Sequence, residues 1–242
     1  MTQRIVGSYS FFSELETCPY QAHEKRVARS IQYVESDAAR WGNYVHDVMD
    51  KRISTDDPKV LSEDDNVARF EPYALCFAGK NSVQTEMKLG ITKDGHPTKF
   101  YGEHCYVGGK VDVVYTMSFA HHDITDWKTG KEDYETPFEL ELHALLHAAR
   151  VAPVAARYTA RYVYIGREKR PDKVGRTYDT ADGSLASPQQ TWAKVNALMA
   201  RAYDYQKNGY WPKQPNALCG WCPVMKCEHN KVKQREAKEA LR

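Results

Sequence analysis

No run of apolar residues in this chain of 242 is long enough to cross a bilayer, and the opening MTQRIVGSYS lacks the apolar stretch of a secretory signal. This reading excludes membrane-spanning and exported classes and leads us to expect a soluble, cytoplasmic chain. Neither sign of charge dominates: 34 Lys and Arg against 32 Asp and Glu leave a formal net charge of +2. A face for nucleic acid must then come from local clustering of basic residues, because bulk charge does not supply it. Internal repeats and low-complexity tracts are missing as well. What is present, 42% hydrophobic and 27% charged residues, suffices to bury a core at the length of one domain, or one domain with a small attachment. Six cysteines without a secretory signal favour free thiols or metal ligation over a disulfide framework.

The order of elements can be read from periodicity and punctuation. Residues 10–33 look helical, with Ser13 and Glu16 placed as a capping box. A clearer amphipathic helix begins at Asp37 and carries Ala38, Trp41, Val45, Val48 and Ile53 on one face. Residues 54–66 read as loop, and 67–80 give no usable pattern. Three strands are expected next, at Val83–Ile91, Cys105–Met117 and His122–Lys128, with Gly108-Gly109 marking a bulge or a close backbone approach. Thr136-Pro137 opens a helix in which Glu139 completes a capping box, and Tyr158–Ile165 is a further strand. Residues 167–186 read as polar loop. A last helix starts at Ser187-Pro188, with Gln190 in the capping-box position, and ends at Gly209. The sequence helix, three strands, helix, strand predicts a mixed α/β core in which the later helix crosses over between strands.

The most informative stretch runs from GKVDVVY to ITDWKTG. In an extended segment Asp126 and Lys128 point to the same side, and Asp112 arrives on the preceding strand. Two carboxylates and an ammonium can thus converge at the end of a hairpin, the set that metal-assisted phosphodiester hydrolysis requires. Singly, each has an ordinary reading: a D-x-K triplet is often a solvated strand face, and a lone His on a helix is often satisfied in the core. Together, in this order, Gly42 and His46 on the first amphipathic helix, Gly109-Lys110-Val111-Asp112, Asp126-Trp127-Lys128-Thr129-Gly130 and the helix FELELHALL resemble the PD-(D/E)xK nuclease superfamily. The likeness is to its RecB-type exonucleases and their CRISPR-associated and phage relatives, and it covers roughly residues 8–230. It implies an α/β, restriction-endonuclease-like core (helix, three strands, helix, strand) with added helices and an iron–sulfur-bearing terminal region. In that scheme residues 1–242 form a single nuclease domain, with the catalytic core at 37–166 and a helical and cysteine-bearing region at 8–33 and 187–230.

By the resemblance, Asp112, Asp126 and Lys128 are catalytic, and His46, Asp112, Asp126 and the Trp127 backbone carbonyl hold Mg²⁺ or Mn²⁺. Glu86 and Glu141 are secondary candidates. Glu86 also reads as an ordinary solvated face, and Glu141 stands on a helix where relatives carry Gln followed by Tyr. Here that helix offers Glu139 and Glu141, with Leu145 near the Tyr place. His143 and His147, spaced i, i+4, can bind zinc, but Ala144 replaces the Glu of the zincin pattern, so they read as surface or partly buried residues.

Cys219, Cys222 and Cys227 form a C-x₂-C-x₄-C group, and Cys18-Pro19 stands near the start. Iron–sulfur RecB-type nucleases share that arrangement, which implies a structural [4Fe–4S] cluster on Cys18, Cys219, Cys222 and Cys227. Zinc, held by four Cys or by three Cys with His229, is the alternative. Cys76 and Cys105 are left as core thiols. The implied activity is metal-dependent DNA exonuclease chemistry on single strands or duplex ends, in a bacterial, archaeal or phage-infected cell, with recombination or CRISPR-type protein partners and no membrane. The rivals are a structure-specific endonuclease or RNA-processing nuclease, and a non-catalytic nucleic-acid-binding subunit. Basic residues that could follow a phosphate backbone are Arg150, Arg157, Arg161, Arg167, Lys169 and Arg170 around the last core strand, and Lys207, Lys213 and Lys226 near the cysteines.

Overall fold

Helix formation near the start depends on a cap other than the expected one. In the computed structural model, which describes residues 4–130, 136–151, 156–165 and 172–232, the Ser8 hydroxyl accepts from the Phe11 amide and opens α1 (Tyr9–Thr17). Ser13 lies inside that helix, so the Ser13–Glu16 capping box is not formed. Cys18 is extended and breaks the helix before α2 (Pro19–Ala22) and a π-turn at His23–Val27. Ser36 caps α3 (Asp37–Thr55), whose buried face is Val45, Met49, Arg52 and Ile53, while Ala38 is exposed. Arg52 is there because Glu71 takes its guanidinium in three hydrogen bonds of 2.6–3.0 Å and Asp56 takes a fourth. A buried charge is tolerable only when paired in this way.

Residues 54–66 are not wholly the loop that their polarity suggests, and 67–80, which gave no pattern, are structured as well. Short helices α4 (Lys59–Ser62) and α5 (Glu71–Leu75) place Leu61, Val67, Phe70, Ala74 and Phe77 against α3 and against Val113, Trp127 and Val163. Their apolar residues are too sparse in each turn for periodicity to reveal them. The strands are β1 (Val83–Ile91), β2 (Pro97–Thr98), β3 (Val107–Ser118), β4 (His121–Lys128), β5 (Arg157–Tyr164) and β6 (Lys173–Asp179). They form one six-stranded sheet in the order β2-β1-β3-β4-β5-β6. Among the described strands only β4 and β5 are parallel, and α6 (Pro137–Val151) lies between them in the chain. The expected α/β core and crossover are therefore present. The expected loop at 167–186 is corrected in part by β6, an edge strand in which Tyr178 alone is buried, so it has no apolar alternation to give it away. Helix α7 (Pro188–Lys207) has its reciprocal capping box: Gln190 N donates to Ser187 Oγ, and Ser187 N to Gln190 Oε1. By packing, the described parts of Met1–Val34 and Ala193–Arg242 form one compact unit and Glu35–Trp192 another.

Helix α6 lies close on the sheet because position 109 is glycine: a Cβ there would stand 2.7 Å from Leu146. The same helix brings His147 under β4 and β5, where its Nδ1 is 3.0 Å from the Tyr158 hydroxyl and its ring meets His122 edge-on at 4.8 Å. Burial, helped by His122 and Arg150, pushes His147 down to about 4; burial and His121 lower His122 also. In the unfolded chain both titrate near 6.5, so the unfolded state takes up protons that the folded state refuses. Stability from this pair is complete above pH 6.5 and is lost as pH falls toward 4. We expect urea unfolding at pH 5 to show about 2 kcal/mol less stability than at pH 7 from His147 alone. His147→Gln should flatten that dependence; an unchanged slope would show that this histidine does not cause it.

Candidate active site

The site forms where the sheet parts. Strands β3 and β4 pair as far as Val113 and Thr125; beyond them the Trp127 amide donates to Asp112 Oδ2 at 2.8 Å in place of a backbone carbonyl. On the other side of β3, Glu86 interrupts the β1 ladder with a φ of 51°, a left-handed conformation unusual for a non-glycine residue within a strand. That twist turns its carboxylate to within 3.6 Å of His46 Nδ1 and into an ion pair with Lys110. His46 arrives from α3, and its Nδ1 lies 3.1 Å from Asp112 Oδ1. One turn earlier Gly42 allows the helix this approach, since a Cβ there would meet Thr129 Oγ1 at 3.2 Å. His46, Glu86 and Asp112 thus offer three ligand atoms within 4.8 Å of one another.

Asp126 and Lys128 share a strand face as expected, and they meet helix α6. Lys128 Nζ is 2.7 Å from Asp126 Oδ2 and 2.7 Å from Glu139 Oε2, and 5.2 Å from the Tyr162 ring centre. Burial disfavours its charge, but the two carboxylates outweigh burial and hold Lys128 firmly protonated. One ammonium cannot neutralise both acids. Burial, and then the negative charge of Asp126, raise Glu139 to about 7 despite the lysine. For His46, burial also opposes the charged form, yet the Asp112 hydrogen bond and the charges of Asp112 and Asp126 raise its pKa. His143 Nδ1 lies 3.7 Å from Asp126 Oδ1; burial lowers its pKa against the pull of those acids. Asp126, Glu139 and His143 make a second group of ligand atoms within 4.8 Å.

Among the residues named from sequence, His46, Glu86 and Asp112 come together, and Asp126 and Lys128 come together beside them. Glu141 does not join them: its Oε1 accepts the Ala186 amide at 3.2 Å, which faces it away from the lysine. Glu139, assigned to a helix cap, instead pairs with Lys128, while the Thr136 hydroxyl accepts the Phe138 amide. His143 and His147 are buried, not at the surface, and they serve different neighbours. The signal for Glu139 and His143 was their i, i+4 spacing, which puts them on one helix face.

In the other unit, Cys18, Cys219, Cys222 and Cys227 line one cavity with Tyr20 and His229. Burial, and the facing thiols of Cys18, Cys219 and Cys227, push the Cys222 thiol up against a backbone hydrogen bond that lowers it. Asn216 caps the short turn that bears Cys219, and its side-chain amide donates to the Thr17 carbonyl at 3.2 Å. The basic residues are less available than their number suggests. Arg157 pairs with Asp179, Arg161 with Asp123, Lys213 with Glu228 and Lys226 with Glu24. Arg167, Lys169 and Arg170 lie outside the described residues. Among the described residues no helix is long and apolar enough to cross a membrane.

No curated protein matches the sequence. Among solved structures, the chain is similar to "Putative exonuclease" from Eubacterium rectale, with a TM-score of 0.56 and 13% identity over 92% of this chain and 88% of that one. It also aligns with SSO0001 at a TM-score of 0.42 and 13% identity, over 94% of this chain and 88% of that one. At these identities the first likeness speaks for the fold alone, a restriction-endonuclease-like α/β core. A family model described as the PD-(D/E)XK nuclease superfamily matches residues 7–227, which include every group at the parted strands. As that match spans most of its length, this chain belongs to the PD-(D/E)XK nuclease superfamily.

Proposed function

We propose that this nuclease is a metal-dependent DNA exonuclease of the RecB type that acts on single strands or duplex ends. The observation that carries the reading is the meeting of Asp112, Asp126 and Lys128 with His46 at the parted strands. The donor set fits a divalent ion: carboxylate oxygens suit Mg²⁺ and Mn²⁺, an imidazole favours Mn²⁺, and His46, Glu86 and Asp112 offer three ligand atoms within 4.8 Å of one another. His46, Asp112 and Asp126 would hold the ion, with the Trp127 carbonyl added by family resemblance and Glu86 in support. When bound, the ion supplies Lewis-acid polarisation of water and of the scissile phosphate. The protein's own residues do the remaining work. Asp112 fixes both the His46 ring and the Trp127 amide, so the ligands are set before substrate arrives. Lys128, kept protonated by its two acids, can orient the attacking water and offset charge that develops on phosphate oxygens.

The word exonuclease in the description of the Eubacterium rectale protein is consistent with this substrate choice. A [4Fe–4S] cluster on Cys18, Cys219, Cys222 and Cys227 is part of the same proposal. The four cysteines line one cavity, and the resemblance to iron–sulfur RecB-type nucleases is what favours the cluster over zinc. End-labelled linear and circular DNA, single- and double-stranded, tests the activity with Mn²⁺, Mg²⁺ or EDTA. We expect nucleotides released from linear ends with Mn²⁺ or Mg²⁺, none with EDTA, and circles left intact. Cleavage of circles would instead indicate an endonuclease, and RNA cut in preference to DNA would overturn the substrate.

A further inference from the structure

We infer that helix α6 builds a second divalent-cation site from Glu139 and His143, completed by Asp126 and distinct from the His46–Glu86–Asp112 group. The inference rests on the proposed nuclease reading only in sharing Asp126 between the two positions. Three ligand atoms, one from each residue, lie within 4.8 Å of one another, and two of them sit on successive turns of one helix face. An acidic pair alone would be no site, but His143 points to a ligand independently. Its side chain is 4% exposed, and its Nδ1 has no hydrogen-bond partner among the described residues. It stops 3.7 Å from Asp126 Oδ1, too far for a hydrogen bond and near the separation of two ligands on one ion with bonds of about 2.1 Å.

A buried imidazole nitrogen left without a partner costs on its own, so a group that accepts its lone pair is expected nearby. In the apo site the single Lys128 ammonium stands 2.7 Å from each of the two carboxylates, one positive charge for two acids. A dication bound by Asp126 and His143 would draw Glu139 from the lysine and leave Lys128 with the shared Asp126. The ligand class follows from the donors: one imidazole and two carboxylates suit Mn²⁺ or Zn²⁺ over Mg²⁺.

Equilibrium dialysis of the full chain against Mn²⁺, with manganese counted by mass spectrometry and folding checked by circular dichroism, tests this without reference to activity. Two Mn²⁺ per chain are expected for wild type, and one for Glu139→Gln and for His143→Asn, two variants that preserve side-chain size. Asp112→Asn should also retain one, since it removes only the first position. A single Mn²⁺ in wild type would overturn the second site, and if that ion vanished in Asp112→Asn the nuclease reading would still stand. Two Mn²⁺ kept by both α6 variants would likewise overturn it. No Mn²⁺ bound by wild type would overturn both readings.

Discussion

Asp126→Asn and Lys128→Ala proteins are expected to lose cleavage by about 10²–10³-fold or more while holding DNA within a few fold of wild type. The two changes reach one step from opposite sides. Asp126→Asn keeps the shape of a residue that is 4% exposed but removes the charge that holds Lys128. With its charge gone, a carboxylate near the phosphates also disappears, so DNA affinity should not fall. Lys128→Ala leaves Asp126 and Glu139 buried without their shared cation, and one of them must take up a proton. That variant should therefore unfold more easily as well, whereas Asp126→Asn should not share this defect fully. Single-turnover cleavage and fluorescence anisotropy on the same labelled strand separate the two quantities. Turnover within tenfold of wild type for either variant would remove these residues from the reaction.

Much of this site could be read from the chain because its parts lie on regular elements. Asp126 and Lys128 are two apart on a strand, so their shared side followed from the pleat, and β1 by alternation, β3 by its valines and β4 by the turn after it were placed within a residue or two. His46 was named through the family resemblance, to which its place four residues after Gly42 on a helix contributes. What escaped was set by tertiary context. The αL turn at Glu86 has no local sequence cause: it is imposed where β1 passes Asp112, and no propensity predicts a glutamate there. Glu139 sat in a position where a capping box is the ordinary reading, and only the approach of Lys128 decides otherwise. Glu141, two residues on, lies on a different face of the same helix and reaches the Ala186 amide. The basic residues show the reverse error. Arg157 and Arg161 looked like a DNA face from composition, yet each finds a carboxylate on a neighbouring strand. The small helices α4 and α5 and the edge strand β6 carry too few apolar residues apiece to show a period.

Protein purified without oxygen should be brown and contain about four iron atoms per chain, and Cys18→Ala should lose them as completely as Cys222→Ala. The equality follows from geometry: Cys18, in the extended break between α1 and α2, lines the same cavity as the three C-terminal cysteines. Ligation would close a loop of about 200 residues, and in the chain-entropy account long closures restrict the unfolded state most. Without the cluster the segment after α7 has little to hold it. Trp211 and Val224 are its buried large apolar residues among those described, joined by the Tyr20 amide to the Pro212 carbonyl and by Lys226 to Glu24. Cluster-free variants should thus be cut first near the C-terminus by a protease present in trace amounts. Cys76, which is exposed and not the core thiol expected, and Cys105, which is buried, line no part of that cavity, so Cys76→Ala and Cys105→Ala should stay brown. The tight packing of Cys105 beneath Gly90 and Gly108 makes its replacement a matter of stability, not colour. Colourless anaerobic protein with one zinc per chain would overturn the cluster and leave the parted-strand site untouched.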